Sequence, residues 1–327
     1  MYFSRLSKFI TVLLCVAGLA SAAFAQENEN PEKEKKNKKE NQQKVRTMTI
    51  PISIFTKREL KENQAGEFLQ AGEIMVRENN ELQTVLSIRS VANTPLHIAI
   101  LIQDNLSSDF NLQLSEIKNF IRRLPPDSRV MVAYLRAGTT QIAQKFTTDL
   151  DRAANSVRAV VGSGSVAPNS PYEGVGEIVK RFDALPTGRR AILLVSDGLD
   201  INNSSPTQSI ELDQAILKAQ RRGVAVHSFY APATLTQNGS STLILSAQGS
   251  LSRLSEETGG RAYFQGTGAP INLDYFFKDL NQALNRQFAL TFLSTHMKKG
   301  YYQLQVTSSN PEIKIEYPKN YYYRGGN

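Results

Sequence analysis

Residues 96–102, Leu-His-Ile-Ala-Ile-Leu-Ile, form an apolar run broken only by one histidine. A strand with one wet face alternates apolar and polar residues. A run without alternation belongs to a strand covered on both faces, as in a parallel sheet between two helix layers. A second such run, residues 191–195, ends in Ser196-Asp197-Gly198. Segments with helical spacing lie around these runs. Leu114, Ile117, Phe120 and Ile121 are stopped by Pro125-Pro126, and residues 150–161 start from Asp149 as a cap. Val175, Ile178, Val179 and Phe182 continue the pattern. Residues 208–222 end at Arg221-Arg222-Gly223, with cations at the negative end of the helix dipole and a glycine suited to a left-handed stop. Further helices are expected at 251–258, closed by Gly259-Gly260, and at 275–288. Residues 130–135 and 141–146, joined around Gly138, read as a hairpin, and 224–230 and 262–264 as strands. This alternation predicts an α/β fold: a doubly wound, mostly parallel sheet with helices on both faces and one antiparallel edge hairpin.

The flanks have a different period. Ile50, Ile52 and Ile54 alternate with Pro51 and Ser53, which predicts a strand with one buried face, and Pro51 suggests an edge position. Residues 74–77 and 82–89 are strand-like and are separated by Asn79-Asn80, a hairpin turn pair. Alternation returns at Tyr302, Leu304 and Val306 and again at Ile313, Ile315 and Tyr317. The expected layout is therefore a β segment over 47–92, the α/β domain over 93–288, and a C-terminal β segment over 289–327 that packs with the first. Tyr301-Tyr302 and Tyr321-Tyr322-Tyr323 either pack these closing strands or form a contact patch.

At the N-terminus, Arg5 and Lys8 precede an apolar run over 9–20 and the small-x-small triplet Ala23-Phe24-Ala25, the pattern of a secretion signal over 1–25. The run is short for a bilayer span. Cys15, the single cysteine, follows Leu14 rather than a small residue, so no lipid anchor is expected, and a processed chain would lack disulfides. Residues 26–46 are rich in Lys, Glu, Asn and Gln and are expected to be a disordered charged linker. These features predict export to the periplasm, cell surface or beyond, with no integral membrane span after cleavage.

The formal charge is +8, but basic and acidic residues are mixed, and no segment interleaves Lys/Arg with aromatics as a nucleic-acid groove would. Nucleic acid is therefore set aside as a partner. His97 and His227 lie in apolar strands and His296 in a loop. No Gly-x-Ser-x-Gly elbow occurs, and Gly162-Ser163-Gly164-Ser165 lacks the lysine of a phosphate loop. No two histidines stand close enough for a zinc site. The chain is expected not to be an enzyme, a hydrolase being the rival reading.

In open α/β sheets, ligands bind outside the carboxyl ends of the strands, where neighbouring connections turn to opposite sides. Asp104 follows the first buried run, Asp197 follows the second, and Asn169 and Ser170 stand just before a helix. Glu78-Asn79-Asn80, the run leading to Asp104, the Ser-Asp-Gly loop within 193–200, and Glu256-Glu257-Thr258-Gly259-Gly260 occur in this order. With these pieces the chain resembles the von Willebrand factor type A (VWA) family, and in particular the Acidobacteria-type VWFA-related proteins, over roughly residues 48–323. The resemblance implies a Mg²⁺-dependent adhesion site built from Asp-x-Ser-x-Ser, a distant Thr and a distant Asp, with a partner's carboxylate completing the octahedral shell. It assigns Asp104, Ser108 and Asp197, with Asn169 or Ser170 near the threonine position. Leu106 stands where the first serine belongs and offers no oxygen. The implied function is protein–protein interaction or adhesion at the envelope, through a degenerate Mg²⁺ site and with a protein ligand. The alternative is a metal-independent envelope scaffold in which Asp104 and Asp197 cap loops and helix N-termini.

Overall fold

In the computed structural model, which describes residues 44–56, 73–136, 139–162, 170–186, 188–200, 209–233, 241–266 and 272–325, the described chain opens with three strands. These are β1 (Arg46–Thr56), β2 (Ile74–Glu78) and β3 (Glu81–Ser90). Asn79 and Asn80 take φ of 47° and 70°, the left-handed pair that matches the twist of a two-residue hairpin. The expected signal over 1–25 lies outside the described residues. So does all of the expected linker except Lys44, Val45 and Arg46, of which Arg46 already belongs to β1.

The α/β domain follows. Its strands are β4 (Leu96–Gln103), β5 (Arg129–Arg136), β6 (Thr139–Thr147), β7 (Arg189–Ser196), β8 (Ala225–Tyr230) and β9 (Ala262–Tyr263). They lie in the order β6-β5-β4-β7-β8-β9, parallel throughout except for the antiparallel edge strand β6. The helices are α1 (Leu114–Arg122), α2 (Leu150–Asn155), α3 (Pro171–Arg181), α4 (Ile210–Arg222), α5 (Ser241–Thr258) and α6 (Asp274–Asn285). Odd and even side chains of β4 enter different cores. Leu96, Ile98, Ile100 and Ile102 pack with α1, α2 and α6, while Ala99 and Leu101 pack with α3, α4 and α5. Burial on both faces is the physical reason β4 carries no polar alternation.

Two expected helices end early. Residues 150–161 are helical only to Asn155, where the Ser156 hydroxyl donates back to the Ala153 carbonyl at 2.7 Å and the chain continues as an irregular strap over 157–162. The last helix stops at Asn285, and Phe288 belongs to a further strand, β10 (Gln287–Ser294). The helix expected at 251–258 is longer and spans Ser241–Thr258.

After β10 come β11 (Gly300–Ser308), β12 (Ile313–Glu316) and β13 (Asn320–Tyr323). They join the first three strands in one antiparallel sheet of order β12-β1-β10-β3-β2-β11-β13. Its apolar face, with Ile50, Ile52, Val76, Leu290, Phe292 and Leu304, forms a core of its own. β1 is not an edge strand over its whole length. It pairs with β10 along 46–53, but β12 reaches only 53–56, so Pro51 sits where the second side is open and its missing N–H costs no ladder bond. Tyr302 and Tyr321 are buried in this sheet, which favours packing for the tyrosine cluster; Tyr301 is exposed and its ring meets that of Tyr322 at 4.8 Å.

Candidate functional site

β4 and β7 are parallel neighbours, with Ile102 opposite Val195, so the loops that follow them leave from the same end of the sheet. From β4 the chain passes through α1 to β5 on one side. From β7 it passes through α4 to β8 on the other. The gap between their carboxyl ends is thus the switch point of the winding. Asp104 and Asp197 both stand there.

A side-chain network builds the rim. Gln103 Oε1 accepts from the Ser196 hydroxyl at 2.5 Å and from the Asp197 amide at 3.2 Å, while Gln103 Nε2 donates to Asn105 Oδ1 at 2.8 Å. The Gly198 amide donates to Ser196 Oγ at 2.9 Å and the Leu199 amide to Asp197 Oδ1 at 3.1 Å. Gly198 takes φ of 71°, and a Cβ there would stand 2.7 Å from the Ala247 carbonyl oxygen. The glycine of Ser-Asp-Gly is therefore required by the backbone. The Tyr172 hydroxyl donates to the Gly198 carbonyl at 2.8 Å, and burial pushes its pKa well above the usual phenol range, which keeps it a neutral donor.

Asp104 is only 3 % exposed and is held by a cation. Arg158 grips it with a fork: Nη1 donates to Oδ1 at 2.7 Å and Nη2 to Oδ2 at 3.0 Å. Arg136 adds an ion pair at 3.7 Å. The Arg158 guanidinium lies over the Tyr134 ring at 3.9 Å, and its own backbone is fastened to the same tyrosine. The Arg158 amide donates to the Tyr134 hydroxyl at 2.7 Å, which donates on to the Arg158 carbonyl at 3.0 Å. The strap over 157–162 is tied down further, because the Val161 and Gly162 amides donate to the Asp104 carbonyl and the Val160 amide donates to Asn111 Oδ1.

The other expected ligands are placed apart in role. Leu106 is fully buried in the α1/α2 core and bridges Ala233. Ser108 opens a short 3-10 helix, Ser108–Gln113, and is exposed. Ser170 caps α3, its Oγ accepting from the Tyr172 amide at 3.3 Å ahead of Pro171. Asn169 lies outside the described residues. Among the described residues no group of three or more His, Cys, Asp or Glu side chains is disposed to hold a metal. With Leu106 in the core and both Asp104 oxygens on a guanidinium, the residues as arranged do not fit a Mg²⁺ shell of six hard oxygens. Sequence reasoning missed Arg158. Its one signal is a single arginine between the apolar residues Val157 and Ala159-Val160-Val161.

The doubly wound sheet brings both acidic loops to its switch point, the place where folds of this class carry their ligand sites. With its antiparallel edge and two helix layers, the domain is VWA-like. No family model matches the sequence, and a search of curated proteins finds no match. Among solved structures, the chain is similar to an aerotolerance-related membrane protein from Bacteroides fragilis, at 14 % identity over 58 % of this chain and 98 % of that one, with a TM-score of 0.41. It is also similar to the conserved hypothetical protein BatB from Bacteroides thetaiotaomicron, at 13 % identity over 58 % and 97 %, TM-score 0.42. A von Willebrand factor type A structure from Catenulispora acidiphila is similar at 10 % identity over 85 % and 73 %, TM-score 0.42. At such identities the likeness concerns fold alone. Among the described residues no helix is long and apolar enough to cross a membrane.

Proposed function

We propose that this chain is an exported, non-enzymatic protein-binding module whose partner docks on the β4/β7 rim without a divalent ion. The observation that carries this reading is the Arg158–Asp104 fork. The resembling family places a metal beside the first aspartate, whereas here a fixed guanidinium occupies that aspartate. Arg158 and Arg136 together exceed the charge of Asp104 alone, with Asp197 balancing the rim as a whole, and the Arg158 side chain is 41 % exposed, so a guanidinium face is open to a partner's carboxylate beside Asp104. Both arginines are permanently charged, so this holding force does not depend on metal supply. Secretion rests on the N-terminal pattern of Arg5, Lys8, the apolar run and Ala23-Phe24-Ala25.

The test combines melting with capture. Millimolar Mg²⁺ or Mn²⁺ should leave the melting midpoint where chelator leaves it, since a native-state ligand would raise it. Capture of partners from envelope extract should survive chelator and be lost in Arg158→Glu. A midpoint that climbs with Mg²⁺, or capture that requires it, would overturn the metal-free reading.

A further inference from the structure

At the opposite end of the parallel sheet, where β4, β5, β7 and β8 begin, a cleft of about 750 Å³ opens between this sheet and the antiparallel one. Across its floor the register sets Arg129 of β5 beside His97 of β4, and His97 beside Arg190 of β7, so the three side chains leave the sheet on one face. Arg189, Arg221 and Arg222 also line the cleft, against one acid, Asp127.

The cations are unevenly compensated. Arg222 is matched by Asp183, with two bonds of 2.8 Å. Arg190 spends its bonds on the carbonyls of Leu185, Pro186 and Arg222. Arg189 is buried and bonds only neutral groups: the Ala92, Thr94 and Leu284 carbonyls and the Gln287 amide oxygen. Arg129 is exposed, and its side chain makes no hydrogen bond or ion pair among the described residues. His97 is 5 % exposed, yet its Nδ1 has no hydrogen-bond partner. Buried polar groups ordinarily find partners, and buried cations ordinarily find anions. Here an imidazole with one buried, unpartnered nitrogen lines a cavity between two arginine positions. The apolar part of the lining includes Val91, Pro95, Phe288 and Ala289.

We propose that this cleft binds a small organic anion with an apolar body, its acidic head on the Arg129–His97–Arg190 row and its body against Val91, Pro95 and Phe288. The volume is of the size that holds a small molecule, and apolar walls with a few convergent polar groups are the usual make-up of such sites. A bare inorganic anion would leave the apolar lining uncovered, and a neutral amphiphile would leave the cationic excess unanswered. Burial, and then Arg129 and Arg190, hold the His97 pKa below its ordinary value, and an anion seated beside the ring would oppose that shift. The site is separate from the Asp104–Asp197 rim, so the two readings fail independently.

The full chain should be titrated below micelle concentrations with decanoate and decyl phosphate. Decanol, decyltrimethylammonium and acetate serve as controls for charge and chain. The readouts are the melting midpoint and tyrosine emission, since Tyr321 and Tyr322 line the cleft and the chain has no Trp. Saturable binding of either acidic amphiphile is expected, at least tenfold tighter than decanol, the cationic amphiphile or acetate, with decanoate against decyl phosphate identifying the preferred head. Arg129→Glu should weaken it at least tenfold, and His97→Phe should weaken it as well. Because the Arg129 side chain is exposed and makes no bonds among the described residues, the first variant is expected to melt like the parent without ligand. Equal binding of decanol, unchanged affinity in Arg129→Glu, or no saturable binding of either acid overturns the proposal.

Discussion

Nε of Arg189 donates to Oε1 of Gln287 at 3.0 Å, joining the first residue of β7 to the first residue of β10 across 98 positions of sequence. The same guanidinium holds the Ala92 and Thr94 carbonyls of the segment entering the α/β domain and the Leu284 carbonyl at the end of α6, which leaves it. One side chain thus fastens both passages between the two sheets. Burial lowers its pKa to about 10, and no carboxylate among the described residues offsets the cost.

Arg189→Met should therefore destabilise the protein by about 3 kcal/mol, because it removes the donor from the buried Leu284 carbonyl and Gln287 amide oxygen and from the part-buried Ala92 and Thr94 carbonyls. Urea unfolding followed by circular dichroism measures this. A loss below about 1 kcal/mol would show that water or rearrangement replaces the clamp. Gln287→Ala removes one bond of the four and should cost less.

Breaking the rim pair one-sidedly is expected to hurt more than deleting it. Arg158→Met leaves the buried Asp104 carboxylate with only the longer contact to Arg136, and a loss of about 3 kcal/mol is expected. Asp104→Leu combined with Arg158→Met should recover much of that loss, because no unpaired charge remains. The coupling energy of the double-mutant cycle is the measurement, and additivity of the two single effects would contradict the pairing.

Acid stability should depend on His227. Burial above all, and then Arg261, holds its pKa to about 3, and its Nδ1 accepts from the Arg261 amide at 3.1 Å. The folded value lies below the ordinary 6.5, so between the two the unfolded chain takes up a proton that the native chain refuses. The native state is unpenalised above 6.5 and loses about 1.4 kcal/mol for each pH unit of descent below it. His227→Gln should flatten the stability profile between pH 6 and 4 by about one proton. An unchanged slope would assign acid sensitivity to other groups.

Gly260→Ala should be among the most damaging single-methyl changes. A Cβ at Gly260 would stand 2.0 Å from the Val226 carbonyl oxygen, which is backbone within β8 and cannot step aside. A shift of several degrees in melting midpoint is expected. Gly249→Ala, in α5 with open space around it, serves as the control and should be neutral or slightly stabilising.

The α/β architecture was legible because its signals are long and redundant: runs buried on both faces, helices with caps, and glycines after them. The left-handed Gly223 ending α4 and the Asn79-Asn80 turn were both readable from residue type. β10 was hidden because Leu284 and Phe288 continue the helical spacing of α6, while Phe288, Leu290 and Phe292 also satisfy a period of two; sheet pairing decides between them. The position of the two acidic loops followed from strand order. Arg158 did not, since its partner lies 54 residues away and the strap that carries it has no periodicity. The Ser-Asp-Gly and Thr-Gly-Gly pieces were readable as motifs, and the structure gives their glycines a steric reason.

The place of β10 between β1 and β3 has a consequence for how the molecule is made. Whether the chain leaves a ribosome or a secretion channel, β1 to β3 come out ahead of the α/β domain, and all of that domain follows before the strand that must separate β1 from β3 is available. The inserted domain can complete its own core while Ile50, Ile52 and Val76 wait for Leu290 and Phe292. The nascent chain therefore passes through a half-built stage with a sticky, unzipped sheet, the form most open to wrong pairing and most in need of a chaperone's cover.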